Sequence, residues 1–98
     1  MNVDDILQKI VKLLRDELVP DRLILFGSRA RGDAHKGSDI DIAVEAGKNL
    51  SHREERKLKE KIEEVSGIYF VDIIFLEKIS KDFRDMIMET GKIVYEKK

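Results

Sequence analysis

The pattern that most constrains this chain is a pair of acidic side chains set into an apolar segment. Asp39 and Asp41 are separated by one isoleucine and are followed by a further apolar run. Residues i and i+2 of a β-strand point to the same face, with Cα atoms about 6.6 Å apart, so the two carboxylates are predicted to lie side by side. Like charges this close resist burial unless a divalent cation or water surrounds them. Ala43 continues the acidic face, and the opposite, apolar face consists of Ile40, Ile42 and Val44.

A phosphate-binding loop is predicted upstream of this pair. A short apolar run ends at Gly27, and Ser28 is placed to begin a helical turn. Glycine lets a ligand approach the backbone closely, and the N–H groups at the start of a helix favour anions. Arg29 and Arg31 follow at once, and Lys36 adds a third cation before the acidic pair. The segment therefore fits a polyphosphate.

A third acidic residue lies on a later predicted strand, residues 69–76. Alternation places Asp72 on the same face as Phe70, Ile74 and Leu76, where a lone buried acid would be costly. This cost suggests that the strand lies next to the strand of Asp41 and that the three carboxylates form one cluster. Such a cluster could hold two Mg²⁺ ions, one binding the phosphates and one activating a nucleophile.

Each of these features also has an ordinary explanation. A Gly-Ser pair alone is most often a strand-to-helix turn with serine as the N-cap. The Asp39 and Asp41 pair alone is usually a solvated strand end, the basic residues alone a solvated loop, and Asp72 alone a core acid paired with a lysine or arginine. Their joint order, spacing and strand context favour the functional interpretation.

These motifs together resemble a known family. The run from residue 27 to residue 32 reads Gly-Ser-Arg-Ala-Arg-Gly, and it is followed by Asp39, Asp41 and the later Asp72. This arrangement resembles the minimal nucleotidyltransferase group of the DNA polymerase β-like superfamily over nearly the whole chain. The resemblance implies an α/β (α+β) nucleotidyltransferase fold, a small mixed sheet of about four strands flanked by helices. It also implies transfer of a nucleoside monophosphate from an NTP to a hydroxyl group, with loss of pyrophosphate.

The resemblance also assigns roles to residues by position. Asp39 and Asp41 are expected to bind metal, and Asp72 is expected to complete the catalytic and metal-binding set and to help activate the acceptor. Mg²⁺ is the implied cofactor, two ions being expected, and ATP is the implied substrate. The residues expected to bind the nucleotide are Gly27, Ser28, Arg29 and Arg31, with Ser28 at the triphosphate and either arginine neutralising developing charge.

Proteins of this kind are commonly the antitoxin half of a pair whose toxin is a helical HEPN-type ribonuclease, silenced by adenylylation of a tyrosine. The resemblance therefore implies a protein partner. Two alternatives stay open: a binding module that neutralises its partner by occlusion alone, and nucleotidyl transfer to a small molecule or an RNA end. No appended acceptor-binding domain is expected, so the acceptor is expected to supply much of its own binding surface.

Length and composition limit the other function classes. At 98 residues the chain is predicted to form one domain, residues 1–98. A formal net charge of -1 disfavours broad attraction to nucleic acid, so direct nucleic-acid binding is not expected. The absence of cysteine excludes a disulfide framework, a thiol nucleophile and sulfur-ligated zinc. Without a secretory or membrane-spanning segment, we expect a cytoplasmic protein with no membrane contact, and homo-oligomer formation stays open.

Caps, proline and glycine delimit two predicted helices. The first spans Val3–Leu18, with Asn2 as its N-cap, and ends before Pro20. Its buried stripe is predicted to be Ile6, Ile10, Leu13 and Leu14. The second begins at Ser51 with a capping-box pattern and ends at Gly67. Its buried residues are predicted to be Leu58, Ile62 and Val65.

A third, shorter helix is predicted over residues 80–89, before a final strand at residues 93–95. This helix carries more apolar residues than one stripe needs: Phe83, Met86, Ile87 and Met88. Completion of the core is favoured over contact with a partner. His52 is expected at the surface, and His35 is expected in a solvated loop, with nucleotide contact left open. Tyr69 and Tyr95 are expected to be packing residues.

Overall fold

A four-stranded sheet with helices on both faces forms the framework of the fold, and the computed structural model describes residues 2–34 and 37–98. Four α-helices, four strands and one 3-10 turn are seen in these residues. In chain order they are α1 (Val3–Leu18), β1 (Arg22–Phe26), α2 (Ser28–Arg31), β2 (Ile40–Glu45), α3 (His52–Ser66), β3 (Val71–Phe75), the 3-10 turn (Leu76–Lys78), α4 (Lys81–Thr90) and β4 (Lys92–Glu96).

The strand order across the sheet is β3-β2-β1-β4. Strand β1 pairs antiparallel with β2 and with β4, whereas β2 and β3 are parallel. Parallel neighbours cannot be joined by a tight hairpin, and α3 supplies the crossover between β2 and β3. The predicted small mixed sheet flanked by helices is therefore confirmed, with β3 and β4 at its edges.

The core has two apolar layers, one on each face of the sheet. The first layer lies between the sheet and helices α1 and α3 and includes Ile10, Leu14, Leu23, Ile40, Ile42, Val44, Leu58 and Ile62. The second lies on the face covered by α4 and comprises Ile24, Phe26, Ala43, Leu76 and Ile87. The alternation predicted for β2 is thus confirmed, because its isoleucines and valine enter one layer and its alanine the other.

Helix α1 has the predicted bounds and cap. The backbone N–H of Asp5 donates to Oδ1 of Asn2 at 2.9 Å. The predicted stripe is correct except at Leu13, which is only half-buried, while Leu18 is fully buried. The reason is the i, i+4 spacing from Leu14 to Leu18, which keeps the latter on the helix face that meets the sheet.

Helix α3 begins with the predicted capping box. The N–H of Glu54 donates to Oγ of Ser51 at 3.2 Å, and the N–H of Ser51 donates to the Glu54 carboxylate at 3.0 Å. The prediction that Val65 is buried is wrong, since Val65 is half-buried and Ser66 takes the inner position. Ser66 continues the four-residue spacing of the helix's buried residues, Leu58 and Ile62.

Helix α4 covers the second layer with one fully buried residue, Ile87. The expectation that its apolar residues complete the core is wrong for Met86 and Met88, which are exposed. Phe83 is also partly exposed, but its ring meets Phe26 edge-to-face with centroids 6.0 Å apart. A single ten-residue helix turns only one face to the sheet, so its other apolar side chains meet solvent.

Tyr69 and Tyr95 are half-buried and pack against the first layer, as predicted. Within residues 2–34 and 37–98, no helix combines the length and the apolar character needed to cross a membrane.

Candidate active site

The three predicted acidic residues lie where the parallel strands β2 and β3 begin. Ile40 is the register partner of Val71, and Asp41 is the register partner of Asp72. Register partners on neighbouring strands are about 4.8 Å apart and project to the same face of the sheet. Asp39 directly precedes β2. The predicted adjacency of the two strands is therefore confirmed.

The burial expected for Asp72 is not found. Asp72 is exposed, not buried, and Phe70 on the same face is 79% exposed. Strand β3 is an edge strand, and the layer under α4 covers Ile74 and Leu76 but not the start of the strand. The acidic end of this face is consequently open, with Asp39 exposed and Asp41 half-buried.

Asp41 is at the electrostatic centre of the group. Burial raises the pKa of the Asp41 carboxyl above its ordinary value, and the negative charges of Asp72 and Asp39 raise it further. The positive charges of Arg29 and Arg31 act in the opposite direction but do not cancel the effect. The site therefore concentrates negative charge that a bound cation would relieve.

The loop after β1 touches this acidic group through Gly27. Its backbone has φ +77° and ψ -156°, a region that essentially only glycine adopts. A Cβ atom at this position would overlap Oδ2 of Asp41. Both the conformation and the space therefore require glycine here, and the requirement comes from the carboxylate itself.

Ser28 begins the short helix α2, as predicted, and is half-buried. The Gly27 carbonyl accepts hydrogen bonds from the N–H groups of Ala30 and Arg31, both at 3.1 Å. Because Phe26 is the register partner of Asp41, the turn that follows Phe26 carries Ser28 to the acidic end of the sheet.

The two arginines of α2 have different surroundings. Nε and Nη2 of Arg29 donate to the carbonyl of Ser38 at 3.2 and 2.6 Å. The guanidinium carbon of Arg29 also lies 5.2 Å from the centre of the Tyr69 ring. Arg31 is exposed, and its Nε lies 3.3 Å from Oδ2 of Asp33. Arg29 thus holds protein groups together, whereas Arg31 lies at the surface.

Two further residues lie in the loop predicted before Asp39. The structure does not describe these residues, Lys36 and His35. His52 is exposed on the first turn of α3, as predicted.

A groove of about 660 Å³ runs between α3 and β3, and its lining combines apolar residues such as Leu58 and Ile73 with Asp72 at the sheet edge.

The donor chemistry of the acidic group fits a hard cation, because it offers carboxylate oxygens around an incompletely compensated charge. In the part of the chain that the structure describes, no three His, Cys, Asp or Glu side chains are arranged to hold a metal ion by themselves. Mg²⁺ is usually bound by one or two carboxylates together with substrate phosphates. The group therefore fits a metal site that phosphate oxygens complete better than a preformed cage.

Tyr69 was expected only to pack, and its contact with Arg29 was not predicted. The signal that could have found it is the strand register. Ile40 pairs with Val71, so the same offset brings Ser38 opposite Tyr69, just before the two strands. An arginine that binds the Ser38 carbonyl is then within reach of the Tyr69 ring.

Comparison with known proteins identifies similar chains. Residues 8–98 match the family described as Polymerase beta, Nucleotidyltransferase. A probable protein adenylyltransferase MntA of Haemophilus influenzae is 36% identical over 89 residues, which cover 90% of this chain and 78% of that protein.

Solved structures show the same similarity. A chain from a crystal structure of a toxin–antitoxin complex with AMP-PNP aligns with a TM-score of 0.74 and 33% identity, over 93% of this chain and 73% of that one. A chain from the structure of a tri-AMPylated Shewanella oneidensis HEPN toxin in complex with an MNT antitoxin aligns with a TM-score of 0.70 and 29% identity, over 96% of this chain and 72% of that one.

Proposed function

Because the chain belongs to the polymerase β nucleotidyltransferase family, we propose that it transfers AMP from ATP to a hydroxyl group of a protein partner, a HEPN-type toxin, as the antitoxin of a pair. Family membership makes the chain a nucleotidyltransferase. A protein acceptor is supported by the relative named as a protein adenylyltransferase, and a HEPN toxin by the similar structure that contains one in AMPylated form.

The observation that carries the proposal is the pairing of Asp41 with Asp72, next to the loop at Gly27. Asp39 and Asp41 would hold Mg²⁺ together with the phosphates of ATP. When bound, the ion would neutralise phosphate charge and favour nucleophilic attack. Gly27 and Ser28 would bind the triphosphate through the turn that begins α2.

Asp72 is suited to act on the acceptor because it lies on an edge strand and is exposed. In the proposed reaction its carboxylate accepts the proton of the acceptor hydroxyl. The hydroxyl oxygen forms a bond to the α-phosphorus, and the bond from this phosphorus to the bridging oxygen breaks, so that pyrophosphate leaves. An open edge admits a hydroxyl presented by a macromolecule.

Of the two arginines, Arg31 is the better candidate for a phosphate ligand. It is exposed, and its ion pair with Asp33 is also exposed to solvent. An exposed pair contributes little to stability, so the guanidinium can exchange that partner for a phosphate at small cost. The guanidinium of Arg29 instead contacts Ser38 and Tyr69.

Incubation with α-labelled ATP, Mg²⁺ and the protein encoded beside its gene tests the proposal. Label should move onto that protein, and pyrophosphate should be released in equal amount. If the partner is inhibited but carries no label, the chain acts by occlusion. If label moves only to a small hydroxyl compound or an RNA end, the acceptor class is wrong.

A further inference from the structure

Arg29 connects the segment that carries Asp39 to the helix that begins the phosphate loop. Two of its nitrogens donate to one acceptor, the carbonyl of Ser38, at 3.2 and 2.6 Å, and the contact is partly buried. Ser38 is the residue directly before Asp39. A planar guanidinium that donates twice to one carbonyl fixes the direction of that carbonyl as well as its position.

The same guanidinium reaches the segment that precedes Asp72. Its carbon lies 5.2 Å from the centre of the Tyr69 ring, within the range of a cation–π contact. Tyr69 is partly buried and packs against the first apolar layer. Arg29 therefore joins three segments: α2, the entry to β2 and the entry to β3.

Asp39 depends on this junction more than the other two acids do. Asp41 and Asp72 lie within paired strands, where the backbone ladder holds them. Asp39 precedes β2, and the N–H of Ile40 donates to the carbonyl of Phe70 at 2.9 Å just after it. On the other side of Asp39, the Ser38 carbonyl is held by Arg29.

We propose that Arg29 is a positioning residue, which holds the Asp39 carboxylate for metal binding through Ser38 and Tyr69, and that it does not bind phosphate. This inference deepens the proposed function and rests on it. Nearby Arg31 has no part in the junction, because its guanidinium contacts Asp33 at the surface.

The two roles predict different kinetics. If Arg29 bound phosphate, its loss would raise the KM for ATP at every Mg²⁺ concentration. If Arg29 positions Asp39, its loss should lower kcat by about 10- to 100-fold, because small displacements of a reacting group are costly. It should also raise the Mg²⁺ concentration that gives half-maximal rate, while the KM for ATP at saturating Mg²⁺ changes less than about threefold.

A double-mutant cycle with Tyr69 tests the junction directly. Arg29→Met, Tyr69→Leu and the double variant are compared for kcat and for the Mg²⁺ dependence. Because Tyr69 supports the guanidinium, the double variant should be little worse than Arg29→Met alone. Independent, multiplicative effects of the two substitutions would overturn the proposal. Tyr69→Phe keeps the ring and should keep the coupling.

The conservative variant separates charge from geometry. Arg29→Lys keeps the positive charge but loses the paired donors, so it should be impaired like Arg29→Met. Full rescue by lysine would overturn the proposal. Arg56→Met is a matched control, since Arg56 is an exposed arginine of α3. Thermal unfolding of each variant checks the fold, and if Arg29→Met fails to fold, Arg29→Lys replaces it in the cycle.

A measurement without turnover keeps the test independent of the acceptor. Amide hydrogen exchange in the metal-free protein should become faster at residues 38–40 in Arg29→Met, and unchanged exchange there would contradict the junction. If the wild-type chain labels no protein but the exchange result holds, the proposed acceptor is wrong and the positioning role stands. If label transfer succeeds but exchange and Mg²⁺ dependence do not change, the positioning role is wrong.

Discussion

Gly27 is in contact with Asp41 across the β1–β2 pair, so closely that a Cβ atom on Gly27 would overlap Oδ2 of the carboxylate. The backbone there is also in a region that other residues rarely adopt. Gly27→Ala should therefore lower the free energy of unfolding by about 1–3 kcal/mol. It should lower AMP transfer by about 100-fold or more, because the carboxylate is displaced. Chemical denaturation and label transfer measure the two effects.

Gly32→Ala is the matched control for this substitution. Gly32 also has a positive φ, +82°, but a Cβ there would meet no atom of residues 2–34 and 37–98 within 4 Å. Alanine at this position carries the strain of a left-handed conformation without the overlap. An equal loss of transfer in both variants would show that the contact with Asp41 is unimportant.

Removal of two carboxylates should separate chemistry from folding. We expect Asp39→Asn combined with Asp41→Asn to abolish nucleotide transfer and to leave the chain folded. Burial and two neighbouring negative charges disfavour the charged form of Asp41, so neutral amides should not lower the free energy of unfolding without metal. Circular dichroism and thermal unfolding check the fold. Residual transfer near the wild-type rate would refute the assigned metal site.

Local signals in the sequence were sufficient to predict the helices and strands, because they act over a few residues, but the strand predicted over residues 69–76 spans only Val71–Phe75. Asn2 and Pro20 delimit α1, and the Ser51 capping box starts α3. Which strands are neighbours, and which side chains are covered, depends on the whole fold. The adjacency of the Asp72 strand to β2 was predicted correctly, but it was predicted from the expected burial of Asp72. Asp72 is in fact exposed, because β3 is an edge strand.

The contacts of Arg29 could not be predicted from the sequence for the same reason. Next to Gly27 and Ser28, an arginine in a loop suggests a phosphate ligand. Its actual partners are a main-chain carbonyl at Ser38 and a ring at Tyr69, which are separated along the chain and meet only through the β2–β3 register. Residue type does not mark a backbone acceptor, so this contact could be inferred only once the β2–β3 register was known.

A cross-strand ion pair gives a test of stability at acid pH. Arg22 and Glu45 are register partners on β1 and β2, and Nη2 of Arg22 lies 2.6 Å from Oε2 of Glu45. Hydrogen bonds from Arg22 lower the pKa of the Glu45 carboxyl from 4.5. The pair therefore contributes stability above pH 4.5, and this contribution is lost as the pH falls through the lowered value.

Glu45→Gln should accordingly lower the free energy of unfolding at pH 7 by about 1 kcal/mol, because the pair is two-pronged and only about 30% exposed. The difference from the wild type should shrink toward zero well below pH 4.5. Asp85→Asn, which breaks the exposed pair with Lys81, is the control and should cost less than about 0.5 kcal/mol. Urea denaturation at several pH values measures both, and a deficit that does not depend on pH would contradict the assignment.

Bound Mg²⁺ should change the effect that ionisation of Asp41 has on the free energy of unfolding. The folded pKa of this carboxyl is raised above 3.8, so its protonated form stabilises the fold below that pH, and the contribution is lost as the pH rises through the raised value. The ionised form of Asp41 thus opposes folding, and a bound cation should convert it into a stabilising ligand. At a Mg²⁺ concentration 100 times the Kd, the gain should be about 2.7 kcal/mol. In the presence of a non-hydrolysable ATP analogue, thermal unfolding should show a higher Tm with Mg²⁺ than without it at pH 7, and a smaller rise at pH 3, where protons compete with the cation for Asp41. The variant with Asp39→Asn and Asp41→Asn should not respond to Mg²⁺ at either pH, and an equal rise in Tm for this variant would place the bound metal elsewhere.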